Sequence, residues 1–228
     1  GFSYRSYTTA GTAEPIKKAT IRIDKTAPDT TAVLSGTMGN NDWYRSNVGI
    51  SFTVVDAASG LAQTDCRIDL PDALNYCTGG FLMTQEGSFV LYYRSTDNAG
   101  LVEDLKQVAF RIDKTPPVSA IALTGTQGLN GWFTSNVVVS LTATDNLSGM
   151  ARLEFSLDNG VSWNLYTAPL TVSAEGTTTI SYRSVDVAGN VEAGRSQSVM
   201  IDRTPPVTTA ALSGTAGQNG WFISDVLV

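Results

Sequence analysis

Apolar residues recur at every second position along most of this chain. In NVVVSLTATD, Val137, Val139, Leu141 and Ala143 fall on one face, and Ser140, Thr142 and Thr144 fall on the other. Val48, Ile50, Phe52 and Val54 repeat the pattern earlier in the chain. In TTTISYRSVD, Thr178, Ile180, Tyr182 and Ser184 alternate with Thr179, Ser181, Arg183 and Val185. A period of two marks strands with one buried face, and no segment carries a helical stripe of useful length. Turn residues cut the pattern into pieces. Strands are predicted at 118–125, 136–144, 150–157 and 161–167, just after Pro169, at 177–185 and at 193–202. They are separated by GTQGLNGW, DNLSG, the hairpin signal DNG, EG and DVAGN.

The same phrases return at a fixed interval. IDKTAPDTT (23–31), IDKTPPVSA (112–120) and IDRTPPVTT (201–209) lie 89 residues apart. Trp43, Trp132 and Trp221 keep that spacing, as do Tyr4, Tyr93 and Tyr182. Residues 23–111 and 112–200 agree at 33 of 89 positions without a gap, so the fold question reduces to one repeating unit. Two full repeats are expected at 23–111 and 112–200. Residues 1–22 match the last part of a repeat and 201–228 the first part, as in a segment of a longer protein. Seven or eight short strands per unit predict an all-β chain of tandem antiparallel sandwiches of immunoglobulin or fibronectin-III type, with a closed barrel as the alternative. The ordered set IDKTPP, LTGTQGLNGW, DNLSGM, SLDNGVSW and EGTTTISYRSVDVAGN resembles the bacterial Ig-like repeats of large secreted and surface proteins. That resemblance spans the whole chain. It implies stalks, spacers, adhesive shafts or accessory modules beside extracellular enzymes.

Composition narrows the chemistry. The chain is acidic, with net charge −6 and five scattered lysines, whereas nucleic-acid binding needs a concentrated basic face. No apolar run is long enough to span a membrane. An acidic, Thr-rich, repetitive chain reads as secreted or cell-surface. Histidine is absent, which removes His-based nucleophile pairs, general bases and metal ligands together. Nothing in the remaining residues forms a catalytic constellation.

Cys66 and Cys77 are the only cysteines, and an 89-residue shift places them on Phe155 and Tyr166. They flank the predicted hairpin between the third and fourth strands. A disulfide replacing an aromatic clamp is expected, and two separate buried thiols are the alternative. Three acids recur in each full repeat, Asp24, Asp56 and Asp97, then Asp113, Asp145 and Asp186. In an Ig-like sandwich, the entering linker and these two loops share one pole. Each trio is therefore a candidate Ca²⁺ site, since calcium takes 6–8 oxygens. The alternative is that each Asp caps its own Gly-containing loop. Thr8 stands where Asp97 is expected in the preceding unit.

The tryptophans that follow the Gly/Asn corner are read as plugs for the core, or else as a carbohydrate-stacking platform. Trp163, beside the DNG hairpin, is the candidate exposed contact. Pro28, Pro116, Pro117, Pro205 and Pro206 are read as linker residues that stop the sheet and limit bending, with Asp113 and Lys114 facing water between them. The expected function is a non-catalytic, semi-rigid stalk, adhesin shaft or filament or sheath component, advancing roughly 35–40 Å per unit. The rival is a spacer or carbohydrate-binding module of a secreted hydrolase. Expected partners are the neighbouring repeats, other copies in a filament formed by strand donation, and a polysaccharide or surface protein.

Overall fold

The computed structural model describes residues 1–69, 75–77 and 79–228. Among these the chain is all-β, without helix. The strands of the first half are β1 (Phe2–Tyr4), β2 (Lys17–Ala19), β3 (Asp29–Ser35), β4 (Trp43–Tyr44), β5 (Val48–Val55), β6 (Leu61–Ile68), β7 (Asn75–Tyr76), β8 (Phe81–Met83), β9 (Gly87–Asp97) and β10 (Lys106–Ile112). Then follow β11 (Val118–Thr124), β12 (Val137–Thr144), β13 (Met150–Ser156), β14 (Asn164–Leu165), β15 (Leu170–Val172), β16 (Gly176–Asp186) and β17 (Arg195–Ile201).

Two compact units can be distinguished. The first comprises Gly1–Ala120, Thr142–Glu154 and Tyr182–Gly194, and the second Ile121–Leu141, Phe155–Ser181 and Arg195–Val228. In the first, β1 pairs with β2 in a small antiparallel sheet, and the sandwich is formed by β3-β5-β8 on one side and β4-β10-β9-β6-β7 on the other. That strand order is the Ig-like one: hairpin-linked strands are divided between two sheets, and chain neighbours often lie in different sheets. The alternating positions read from the sequence meet in one core. Val48 and Ile50 come from β5, Cys66 from β6, Leu91 and Tyr93 from β9, and Phe110 and Ile112 from β10. Both sheets therefore contribute to a single apolar layer, the arrangement that buries one face of each.

The second unit has its own buried set, Phe133, Val137, Val139, Val172, Ile180, Val199 and Ile201. In it β12 pairs antiparallel with β15, from Val137↔Val172 to Val139↔Leu170. The two further sheets have the orders β11-β12-β15 and β14-β13-β16-β17.

Several local features were not readable in advance. The Gly/Asn corner contains a two-residue strand, β4, which runs parallel to β10 with Arg111↔Trp43 and Ile112↔Tyr44 in register. The strand expected over 161–167 shortens to Asn164–Leu165 because a tight turn over 157–162 takes up the preceding residues. Asp158 builds that turn by accepting the Ser162 amide and hydroxyl and the Ser156 hydroxyl. One reading is corrected. Asp113 does not face water but is fully buried, and Pro28 and Pro117 are buried as well, whereas Pro116, Pro205 and Pro206 are exposed.

Candidate functional site

The two Asp trios occupy equivalent loops. Asp24 lies in the segment before β3, Asp56 directly after β5, and Asp97 at the end of β9. A carboxylate oxygen from each of the three lies within 4.8 Å of the others, and the same holds for Asp113, Asp145 and Asp186. Strand pairing explains the convergence. β6 pairs with β9 from Leu61↔Asp97 onward, so the turn that follows Asp56 ends beside Asp97.

Each aspartate first serves its own loop. Asp56 Oδ1 accepts the Ala58 and Gly60 amides, and Asp97 Oδ1 accepts the Ala99 and Leu101 amides at 2.9 and 2.8 Å. Gly60 makes this possible with φ of +77°, a backbone state unfavourable for residues with a Cβ. Asp24 reaches across, accepting Thr26 N through Oδ1 and Ser59 N through Oδ2. Hydrogen bonds from Ser59 and then from the Thr26 amide hold its carboxyl below the ordinary carboxylate range. The capping reading therefore describes real contacts. Thr8 makes the same loop with a hydroxyl, accepting the Thr12 amide at 3.1 Å.

Capping leaves oxygens over. Asp56 Oδ2 and Asp97 Oδ2 are buried and have no hydrogen-bond partner among the described residues, although Asp97 is only 2% exposed. A buried carboxylate oxygen without a donor is costly, so native proteins rarely leave one. In the second trio Asp145 Oδ1 is in the same condition, while Asp145 Oδ2 accepts the Leu147 and Gly149 amides. Asp186 differs from Asp97. Its Oδ1 caps Gly189 and Asn190, and its Oδ2 receives the Asn190 side-chain amide at 2.8 Å. That same amide donates to the Asp113 carbonyl, and Asp113 Oδ2 accepts the Ser148 amide. Leu101 occupies the position of Asn190 in the first repeat and offers no such donor.

The loop carrying Asp186 also meets the Gly/Asn corner of the first repeat, within the same compact unit. Asn40 N donates to the Ala188 carbonyl at 2.8 Å, Asn41 Nδ2 to Val187 and Arg45 to Gly189. A Cβ on Gly39 would run into the Ala188 carbonyl, so glycine is what allows the two backbones to approach. Beside the first trio, Arg22, Asp24, Ser59 and Asn98 line an open cavity of about 630 Å³.

Cys66 and Cys77 form a disulfide with Cα atoms 5.8 Å apart. In the second repeat Tyr166 replaces Cys77 and works through its hydroxyl, which accepts the Leu141 amide at 3.0 Å. Trp43 is buried beneath the Arg111 guanidinium, 5.0 Å from its ring centroid. Trp132 is half-buried and Trp221 exposed. Trp163 is half-buried, not exposed as expected, because its ring turns back over the DNG hairpin toward Gly160.

One recurrent acid escaped the sequence reading. Glu103 and Glu192 stand 89 residues apart and are both buried. Glu103 accepts the Thr30 and Ser95 amides and pairs with Lys106 at 2.8 Å, joining β3 to β9 and β10. Glu192 accepts the Ser119 and Ser184 amides and hydroxyls. The VE dipeptide after each AG turn is the signal that could have revealed it.

No family model matches the chain, and no curated protein matches it. Similar solved structures include fibronectin(III)-like modules of Clostridium thermocellum CbhA, 14% identical, covering 79% of this chain and 100% of theirs at a TM-score of 0.35. The D00-D0 domain of intimin is 11% identical, with 75% and 100% covered and a TM-score of 0.34. A cytokine receptor complex is 17% identical, with 74% and 95% covered and a TM-score of 0.33. Its strand order places the chain in the broad class of Ig-like β-sandwich modules. No helix among the described residues is long and apolar enough to cross a membrane.

Proposed function

We propose that this chain is a non-catalytic structural segment of an extracellular repeat protein, a semi-rigid spacer of the stalk, adhesin-shaft or filament kind. The observation that carries this reading is the joint between consecutive repeats. A spacer must resist bending where its modules meet, and here the 187–189 loop is held by Asn40, Asn41 and Arg45. The linker aspartate of that joint, Asp113, is fully buried and fixed by Ser148 and Asn190. At the 89-residue interval Asn41 recurs as Asn130 and Asn219, Asp113 as Asp24 and Asp202, and Ser148 as Ser59, whereas Arg45 and Asn190 are Thr134 and Leu101 in the other full repeat, so the sequence repeats part of this joint. The closed Cys66–Cys77 bond suits an oxidising, extracytoplasmic setting.

Small-angle scattering of the chain tests the reading. The expected result is one elongated particle with a narrow spread of maximum dimension. Replacing both Asn41 and Arg45 by Ala is expected to broaden that spread while leaving the melting temperature within a degree or two. A spread already broad in the unmodified protein would overturn the proposal.

A further inference from the structure

The geometry points to a Ca²⁺ site at Asp24, Asp56 and Asp97. Three carboxylates converge there to within 4.8 Å, and none is in an ion pair with a described lysine or arginine. Like charges this close repel unless a cation lies among them. The independent observation is the state of Asp97: it is 98% buried, its Oδ1 is engaged by two amides, and its Oδ2 has no partner among the described residues. Asp56 repeats the division, with Oδ1 capping its loop and Oδ2 unpartnered. Asp56 and Asp97 thus each fix their loop with one oxygen and leave the other without a donor among the described residues, while Asp24 accepts one amide through each oxygen. That division of labour suits a ligand set held ready for an ion.

The donor set selects the ion. All the donors are hard oxygens, with no thiolate or imidazole, which disfavours Zn²⁺ and Cu²⁺. A calcium ion at 2.3–2.6 Å from its ligands spans up to about 5 Å between opposite oxygens, whereas magnesium at 2.0–2.1 Å spans about 4 Å. Oxygens that all lie within 4.8 Å of one another fit inside a calcium shell, and calcium tolerates the irregular arrangement of loop carboxylates better than magnesium, which demands a near-ideal octahedron. Waters and backbone carbonyls are the further oxygens that complete a calcium shell.

The second trio supplies a contrast within the chain. There the Asn190 amide already satisfies Asp186 Oδ2, the oxygen whose counterpart on Asp97 is free. The inference is accordingly confined to the first trio, and it does not depend on the chain being a spacer.

Calorimetric titration of CaCl₂ into the full chain, stripped beforehand with EGTA, is the test. Saturable binding is expected with Kd of about 10⁻⁴–10⁻³ M, the range of extracellular calcium modules, together with a calcium-dependent rise in melting temperature. Magnesium at equal concentration is expected to bind at least tenfold more weakly. Asp97→Asn keeps an acceptor for Ala99 and Leu101 but replaces the free oxygen with a donor. It should leave calcium-free melting unchanged or raised, and weaken calcium binding more than tenfold. Should that variant fold poorly, Asp56→Asn makes the same substitution in the neighbouring loop. No saturable heat up to about 10 mM Ca²⁺, or an unchanged isotherm in both variants, would overturn the proposal. A bending defect in the scattering experiment would leave it standing.

Discussion

Glu103 illustrates how one side chain can tie a sandwich together. Burial raises the cost of its charge, yet hydrogen bonds from Lys106, Thr30 and Ser95 outweigh that cost and hold its pKa below the ordinary 4.5. A depressed carboxylate contributes stability above its unfolded pKa, and that contribution is lost as pH falls through the folded value. Stability of the first repeat should therefore decline below about pH 4.5. Glu103→Gln should remove part of this dependence and cost about 1–3 kcal/mol at neutral pH, because a charge-assisted pair is broken and amide donors then face amide donors. Chemical denaturation of both proteins between pH 3 and pH 7 (roughly the window set by linkage) checks it. If the two curves ran parallel across that range, the role given to Glu103 would be wrong.

Among the elements, the β6–β7 hairpin shows two solutions to one problem. β7 is two residues long; among the described residues it pairs with β6 at Asp65↔Tyr76 and Cys66↔Asn75, with one more backbone bond from the Cys77 amide to the Thr64 carbonyl, a short run for an edge strand. The disulfide anchors it in the first repeat, and the Tyr166–Leu141 hydrogen bond ties the equivalent segment in the second. The bridge closes a sequence separation of 11 residues, for which chain entropy gives about 2–3 kcal/mol. Replacing both cysteines by Ala should lower stability by that amount in guanidinium melts without altering the second repeat's transition. An equal loss in both transitions would mean that the bridge acts beyond its own sandwich.

At the level of the whole molecule, the proposed stiffness has two separable sources, the prolines and the joint. Pro117 is buried although Pro116 and Val118 beside it are exposed, so exchanging it for Gly would disturb packing as well as the linker. Pro116 is exposed and isolates the linker effect. Pro116→Gly should widen interdomain angles in electron micrographs of the chain while each domain's melting stays within about 1 kcal/mol. Unchanged angles would assign the stiffness to the 187–189 loop and its Asn41 and Arg45 contacts alone.

Much of this protein was readable because its information is periodic. Alternation with period two specifies strands with one apolar face, since that is the pitch at which side chains change sides, and Val48, Ile50, Val137, Val139 and Ile180, all picked out by that alternation, are buried. The interval of 89 residues likewise specified that equivalent side chains would sit in equivalent places, as the two Asp trios do. Only the tertiary structure could decide the rest. β4 is too short to carry a pattern, and its parallel partner lies more than sixty residues away. The burial of Asp113 depends on donors 35 and 77 residues further on, at Ser148 and Asn190. Whether a carboxylate oxygen is spent or free, as between Asp186 and Asp97, turns on a single donor supplied by the fold at close range. Periodicity is a property of the chain, but satisfaction of a polar atom is a property of its surroundings, and those exist only once the strands have met.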